Sequence, residues 1–204
     1  MRESAGLTAM AALVIDLARA ADIPELDALI SHSAGSICSR YYEPDAIDAA
    51  IEHVFGVDIQ LIQARCYFVA RVHGRIVGCG GWSPFATLLG TDDAHDCDNH
   101  RLDPHIDDAR IRAFFVSADW TRAGIGSALL DACETAARKA GFSGTRLMAT
   151  LSGVPFYAAR GYVATEDHVA RFGGTDLRFV AMRKTLAMSR RERTPVALAS
   201  LGRA

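Results

Sequence analysis

The chain has 204 residues, half of them apolar, which allows one domain with a sizeable core and no need of disulfide or metal staples. Its 22 Lys and Arg against 24 Asp and Glu leave a formal charge of -2, so no global basic field draws it onto nucleic acid or an anionic membrane. A small-molecule or peptide partner is the expectation. Five cysteines at irregular spacing, with no C-x-x-C pair, exclude the usual zinc and dithiol patterns and read as reduced thiols in a cytoplasm.

The first apolar stretch, residues 7–17, is interrupted by Asp16 and too short for a membrane span, so neither export nor anchoring is expected. Residues 1–11 read as an N-terminal extension and 12–17 as a strand. Asp22 then caps a helix with Pro24 in its first turn and Leu26, Leu29 and Ile30 on its apolar face. A second helix follows Pro44, with Ile47, Ala50, Ile51 and Val54 at helical spacing.

Residues 66–72 and 75–82 are β-rich runs on either side of His73-Gly74, the spacing of a tight hairpin, although the Gly78-Cys79-Gly80-Gly81 run thins the second strand. Residues 84–108 crowd Asp92, Asp93, Asp96, Asp98, Asp103, Asp107 and Asp108 among His95, His100 and His105 with little apolar period, which predicts a long polar loop. The same loop could be imagined as a metal site, but it lacks zinc spacing, so a solvated loop and no metal are predicted.

Regularity returns with a strand at 110–116, a polar turn holding Asp119 and Trp120, and a helix from about Gly124. Ile125, Ala128, Leu129, Ala132, Cys133 and Ala136 recur at three and four, and Gly141 stands past the end as a cap. A strand at 145–149, a short helix at 155–160 stopped by Gly161, and strands near 162–170 and 176–184 complete an α/β order. Residues 187–204, with Arg190, Arg191, Arg193 and Pro195, read as a tail.

The strongest chemical signal is the run from Phe114 through Thr121-Arg122-Ala123-Gly124-Ile125-Gly126-Ser127, a strand passing through a glycine turn into an amphipathic helix. Unpaired N–H groups at a helix start point outward together and carry the positive end of the helix dipole, and glycines let an anion approach the backbone. Such a turn can hold a pyrophosphate. Glycines at this place could also serve close helix–strand packing alone. The Rossmann pattern fails because position 129 is Leu, and the P-loop fails because no Gly-Lys-Ser/Thr follows.

This turn, together with Phe156-Tyr157-Ala158-Ala159-Arg160-Gly161-Tyr162 further on, resembles the GNAT superfamily of N-acetyltransferases, which carries R/Q-x-x-G-x-G/A and F-Y-x-x-x-G-F in this order. The resemblance spans roughly residues 12–186. It implies a mixed, mostly antiparallel sheet of about six or seven strands flanked by about four helices, with acetyl-CoA as co-substrate. Thr121 stands where relatives have Arg or Gln, with Arg122 beside it, and Thr150 stands where many have Asn toward the pantetheine arm.

By that resemblance the strand near Phe115 and Val116 splays from its neighbour and frees backbone groups for the pantetheine and the thioester oxygen. Tyr157 would be the general acid that protonates the leaving thiolate. Its bland alternative is a core tyrosine. Glu43, Asp107 and Asp108 are candidate bases, none singled out by spacing, and bulk water suffices as another. Tyr41, Tyr42 and Trp82 are candidate acceptor-binding aromatics, or equally core residues. The implied activity is acetyl transfer to a primary amine of a small molecule or peptide. A non-catalytic acyl-CoA-binding regulatory module is the alternative, and a homodimer is left open.

Overall fold

The computed structural model describes residues 12–87, 100–172 and 174–186. The expected N-terminal extension and C-terminal tail lie outside these residues. Seven strands and five α-helices are described: β1 (Leu13–Leu17), α1 (Ile23–Cys38), α2 (Pro44–His53), α3 (Ile59–Gln63), β2 (Tyr67–Val72), β3 (Arg75–Ser83), β4 (Ala109–Val116), α4 (Ile125–Lys139), β5 (Gly144–Thr150), α5 (Val154–Ala159), β6 (Val163–Phe172) and β7 (Thr175–Thr185). The helix beyond the expected four is α3, a five-residue turn whose N-cap Asp58 accepts from the Leu61 N–H at 3.0 Å.

The strands form one sheet in the order β1-β2-β3-β4-β5-β7-β6. All neighbours are antiparallel except β4 and β5, which run parallel and register only at Ala109↔Thr145 and Arg110↔Arg146. Beyond that pair the two strands have no ladder between them. The sheet therefore opens along the rest of β4.

The β2–β3 hairpin turns at His73 and Gly74, with φ of 50° and 80°, the two left-handed residues that a type I′ turn requires. The glycines that looked like a weakness in β3 are each occupied by a neighbour. A Cβ on Gly78 would meet Ile125 and Leu129 of α4 at 3.0 and 3.1 Å, and one on Gly80 would stand 2.3 Å from the Phe114 ring. One on Gly81 would meet Leu61 at 2.6 Å and the Tyr67 ring at 2.9 Å. Bulk supplied by other elements replaces side chains that β3 lacks.

The predicted polar loop is tied at its ends, where Phe85 bridges Arg101 and the Leu102 N–H donates to the Pro84 carbonyl at 2.8 Å. Residues 88–99, with Asp92, Asp93, His95, Asp96 and Asp98, lie outside the described residues. Among the described residues no three His, Cys, Asp or Glu converge as a metal site would need.

Helix α4 packs its apolar face on β1–β4, and a buried polar cluster ties it to the other half of the sheet. Lys184 of β7 reaches both Glu134 carboxylate oxygens at 2.8 and 2.7 Å. Tyr162 donates to Glu134 at 3.2 Å and shares a 2.8 Å hydrogen bond with Thr145. Each buried polar group thereby finds a partner, which offsets its desolvation.

Cys79 on β3 is fully buried, and burial pushes its thiol from the usual 9.0 up to about 12. A group whose folded pKa is raised adds stability below its unfolded pKa and loses it as pH climbs toward the folded one. Denaturation midpoints are therefore expected to hold to about pH 9 and fall between pH 9 and 12, with Tyr67, also raised by burial, adding to the fall. A urea midpoint that is flat from pH 8 to 11 would contradict this.

Candidate active site

A cavity of about 730 Å³ opens where β4 and β5 part. Its walls come from β4, the turn after it, the start of α4, the end of β5, α5 and the inner face of α1. It is mostly apolar, with Phe55 set edge-on to Phe115 at 5.5 Å on one side and the Phe114, Phe156 and Tyr157 rings clustered on another.

The phosphate-binding expectation rests on the turn at Trp120 to Gly126, which is built for exposed amides. Arg122 and Gly124 both have positive φ, 63° and 82°, and the first hydrogen bond of α4 runs from the Ala128 N–H to the Gly124 carbonyl at 3.0 Å. The N–H groups of Ile125, Gly126 and Ser127 are thus the free amides of a helix start. Gly126 lies against Phe156, where a Cβ would be 3.3 Å from the ring.

Phe115, Val116, Thr121, Arg122, Gly124, Ile125, Gly126, Ser127, Thr150 and Tyr157 all line the cavity, and so does Tyr41. The structure thus gathers onto one surface residues that lie up to 116 positions apart in the chain. Ala123 belongs to the turn but packs against the cluster of Ile125 and Leu129. The Thr121 hydroxyl donates to the Ala118 carbonyl at 3.0 Å, so the turn offers anions its backbone. The Thr150 hydroxyl shares a hydrogen bond with Ser152 at 3.0 Å.

Tyr42 and Trp82 lie outside the cavity lining. The Tyr42 hydroxyl donates to the Arg178 carbonyl at 2.5 Å and accepts from the Leu151 N–H at 2.9 Å, which spends it on joining β7 to the end of β5. Trp82 is buried edge-on to Phe142 at 6.1 Å, so both aromatics are packing residues. Of the candidate bases, Asp108 is bidentate to Arg183 at 2.5 and 3.0 Å, Asp107 accepts from the Asp103 N–H at 2.8 Å, and Glu43 is the N-cap residue of α2. None of the three lines the cavity.

Tyr157 stands on α5 with its ring against Phe114, Phe156 and Tyr162 at 6.1, 5.0 and 5.6 Å. Among the described residues no hydrogen bond engages its hydroxyl. Burial, with Cys133 close by, pushes the phenol well above its usual value, so it is a protonated donor throughout the neutral range.

Sequence reasoning missed Asp58 and Arg112, a buried pair 3.1 Å apart in the cavity wall, and Ser33, whose hydroxyl donates to the Val116 carbonyl at 2.8 Å. Asp58 before an apolar run was readable as a helix cap. Its meeting with Arg112 depended on the topology.

Solved structures similar to this one share its fold. A GCN5-related N-acetyltransferase from Rhodopseudomonas palustris superposes with a TM-score of 0.64 at 21% identity, covering 85% of this chain and 95% of its own. The PaiA N-acetyltransferase of Thermoplasma acidophilum, solved with coenzyme A, gives 0.59 at 14% over 85% and 99%. YncA of Salmonella typhimurium, solved with acetyl-CoA, gives 0.57 at 14% over 88% and 96%. No curated protein sequence matches the chain. Residues 103–186, from the strand before the glycine turn to the last strand, match the family model described as Acetyltransferase (GNAT) domain. The chain thus carries a stretch similar to the GNAT acetyltransferase domain, within the fold that these solved structures share.

Proposed function

We propose that the protein transfers an acetyl group from acetyl-CoA to a primary amine of a small molecule or peptide, by direct attack within a ternary complex. The observation that carries this is the single cavity joining the amide-bearing turn, the unladdered length of β4 and the Tyr157 phenol. The complexes of two similar structures with coenzyme A and acetyl-CoA support the choice of co-substrate.

The residues present fit that group. The amides of Gly124 to Ser127 would hold its pyrophosphate, with Arg122 adding charge, and the open edge of β4 at Phe115 and Val116 would pair with its pantetheine arm. Bound there, acetyl-CoA supplies a thioester: the amine nitrogen bonds to the carbonyl carbon and the carbon–sulfur bond breaks, its electron pair leaving on sulfur. Tyr157 gives the sulfur a proton and regains one from solvent, and the nitrogen loses its extra proton to water at the cavity mouth. Backbone N–H groups of β4 stabilise the oxygen that gains charge.

Titration calorimetry with acetyl-CoA, followed by an amine panel read by release of free CoA thiol, tests the reading. Micromolar binding and turnover with at least one amine are expected. Binding without turnover on a broad panel would favour a non-catalytic acyl-CoA module, and absence of binding would sink the proposal.

A further inference from the structure

The register of β3 against β4 slips between Cys79↔Phe115 and Gly81↔Arg112, so β4 carries one extra residue there. At this bulge Ala113 has φ of 48°, a left-handed conformation that a side chain resists. Something has to hold it. The group that does so comes from β2: the hydroxyl of Tyr67, a fully buried residue, donates to the Ala113 carbonyl at 3.1 Å. Tyr67 packs beside Gly81, where a Cβ would stand 2.9 Å from its ring.

We propose that Tyr67 is a positioning residue for the reaction, acting through the Ala113–Phe114 peptide. The inference rests on the acetyl-transfer reading above. A trans peptide directs its C=O and N–H in opposite senses. Because Tyr67 draws the carbonyl toward β2, the Phe114 N–H is turned the other way, toward the gap that faces β5. That gap is the cavity, where a donor to the thioester oxygen is needed.

The same peptide sets the Phe114 side chain. Its ring fills the place that Gly80 leaves open and packs 6.1 Å from the Tyr157 ring. Tyr67 therefore aligns two parts of the reacting surface, a backbone donor and the packing behind the proton donor, without touching substrate. The two adjacent glycines of β3 have one purpose, since Gly81 admits the ring that holds the bulge and Gly80 admits the ring that the bulge projects.

The test is Tyr67→Phe, which keeps the ring and removes the hydrogen bond. Acetyl-CoA affinity is expected to stay within about twofold and kcat to fall about tenfold, the factor that one lost hydrogen bond sets. Adding Ala113→Gly to that variant is expected to restore most of the rate, because glycine takes a positive φ without strain. A role confined to stability would not give this rescue.

Wild-type kcat in Tyr67→Phe, or a loss that Ala113→Gly leaves unrepaired in folded protein, overturns the proposal. If Tyr67→Phe does not fold, Ala113→Val carries the test, since a β-branched residue cannot hold that φ and kcat should fall with affinity kept; unchanged kcat overturns it. A wild-type protein that turns over no amine defeats the acetyl-transfer reading instead. The Phe114 amide proton shift on adding acetyl-CoA then decides for Tyr67: large in wild type and lost in Tyr67→Phe supports it, equal in both overturns it.

Discussion

Gly126→Asp abolishes acetyl-CoA binding in a protein that remains folded: no heat is expected in a titration that saturates the wild type. The residue is the second of α4, among the amides that no intrahelical bond engages. A carboxylate there would occupy the anion's space, accept from the amides that the anion needs, and repel it. A negative side chain in a first turn also favours the helix, by about 0.3–1 kcal/mol, so the fold should not suffer from the charge. The contact to watch is Phe156, which must give by a few tenths of an ångström to admit any Cβ. Gly126→Asn separates the two effects, being the same size and neutral. Asparagine binding as poorly as aspartate would assign the loss to space alone, and undiminished affinity in Gly126→Asp would remove the turn from the site.

Tyr157→Phe is expected to lower kcat on the order of 10²-fold and to leave acetyl-CoA affinity nearly unchanged. The ring remains, with its contacts to Phe114, Phe156 and Tyr162, and only the proton goes. Stability should hold within about 1–1.5 kcal/mol, because no described group loses a partner when the hydroxyl is removed. The raised pKa of the phenol adds a pH signature. Its acid form persists past pH 10, so Tyr157 itself should contribute no alkaline fall in rate across the neutral and mildly basic range. Wild-type turnover in the variant at every pH would mean that solvent supplies the proton and that Tyr157 only packs.

The glycine turn, the F-Y-x-x-x-G segment and the order of elements were legible because each is written locally: caps, periods of two and three to four, and turn residues at fixed spacing. Tyr157 could be named from the second motif alone. Asp58, Arg112, Ser33 and Tyr67 could not, since each gains its partner through sheet order, and an isolated Asp or Tyr carries no sign of it. Trp82 and Tyr42 read equally as recognition or core residues for the same reason in reverse. Their aromatic character was visible, whereas the Phe142 ring and the Arg178 carbonyl that absorb them were not. The β3 glycines were read as a weak strand because the rings that fill them arrive from β2 and β4.

The two-pair join between β4 and β5 makes the sheet a pair of leaves, β1 to β4 and β5 to β7, each laddered within itself and bound at a short spine. A molecule lying in the opening touches both leaves, so its binding closes the fold as well as filling a site. Acetyl-CoA would then act as a missing rung: at a hundred times its dissociation constant, linkage alone adds about 2.7 kcal/mol to the folded state. Beyond Arg110 and Arg146 no ladder joins the facing edges of β4 and β5, and such a ligand would cover them.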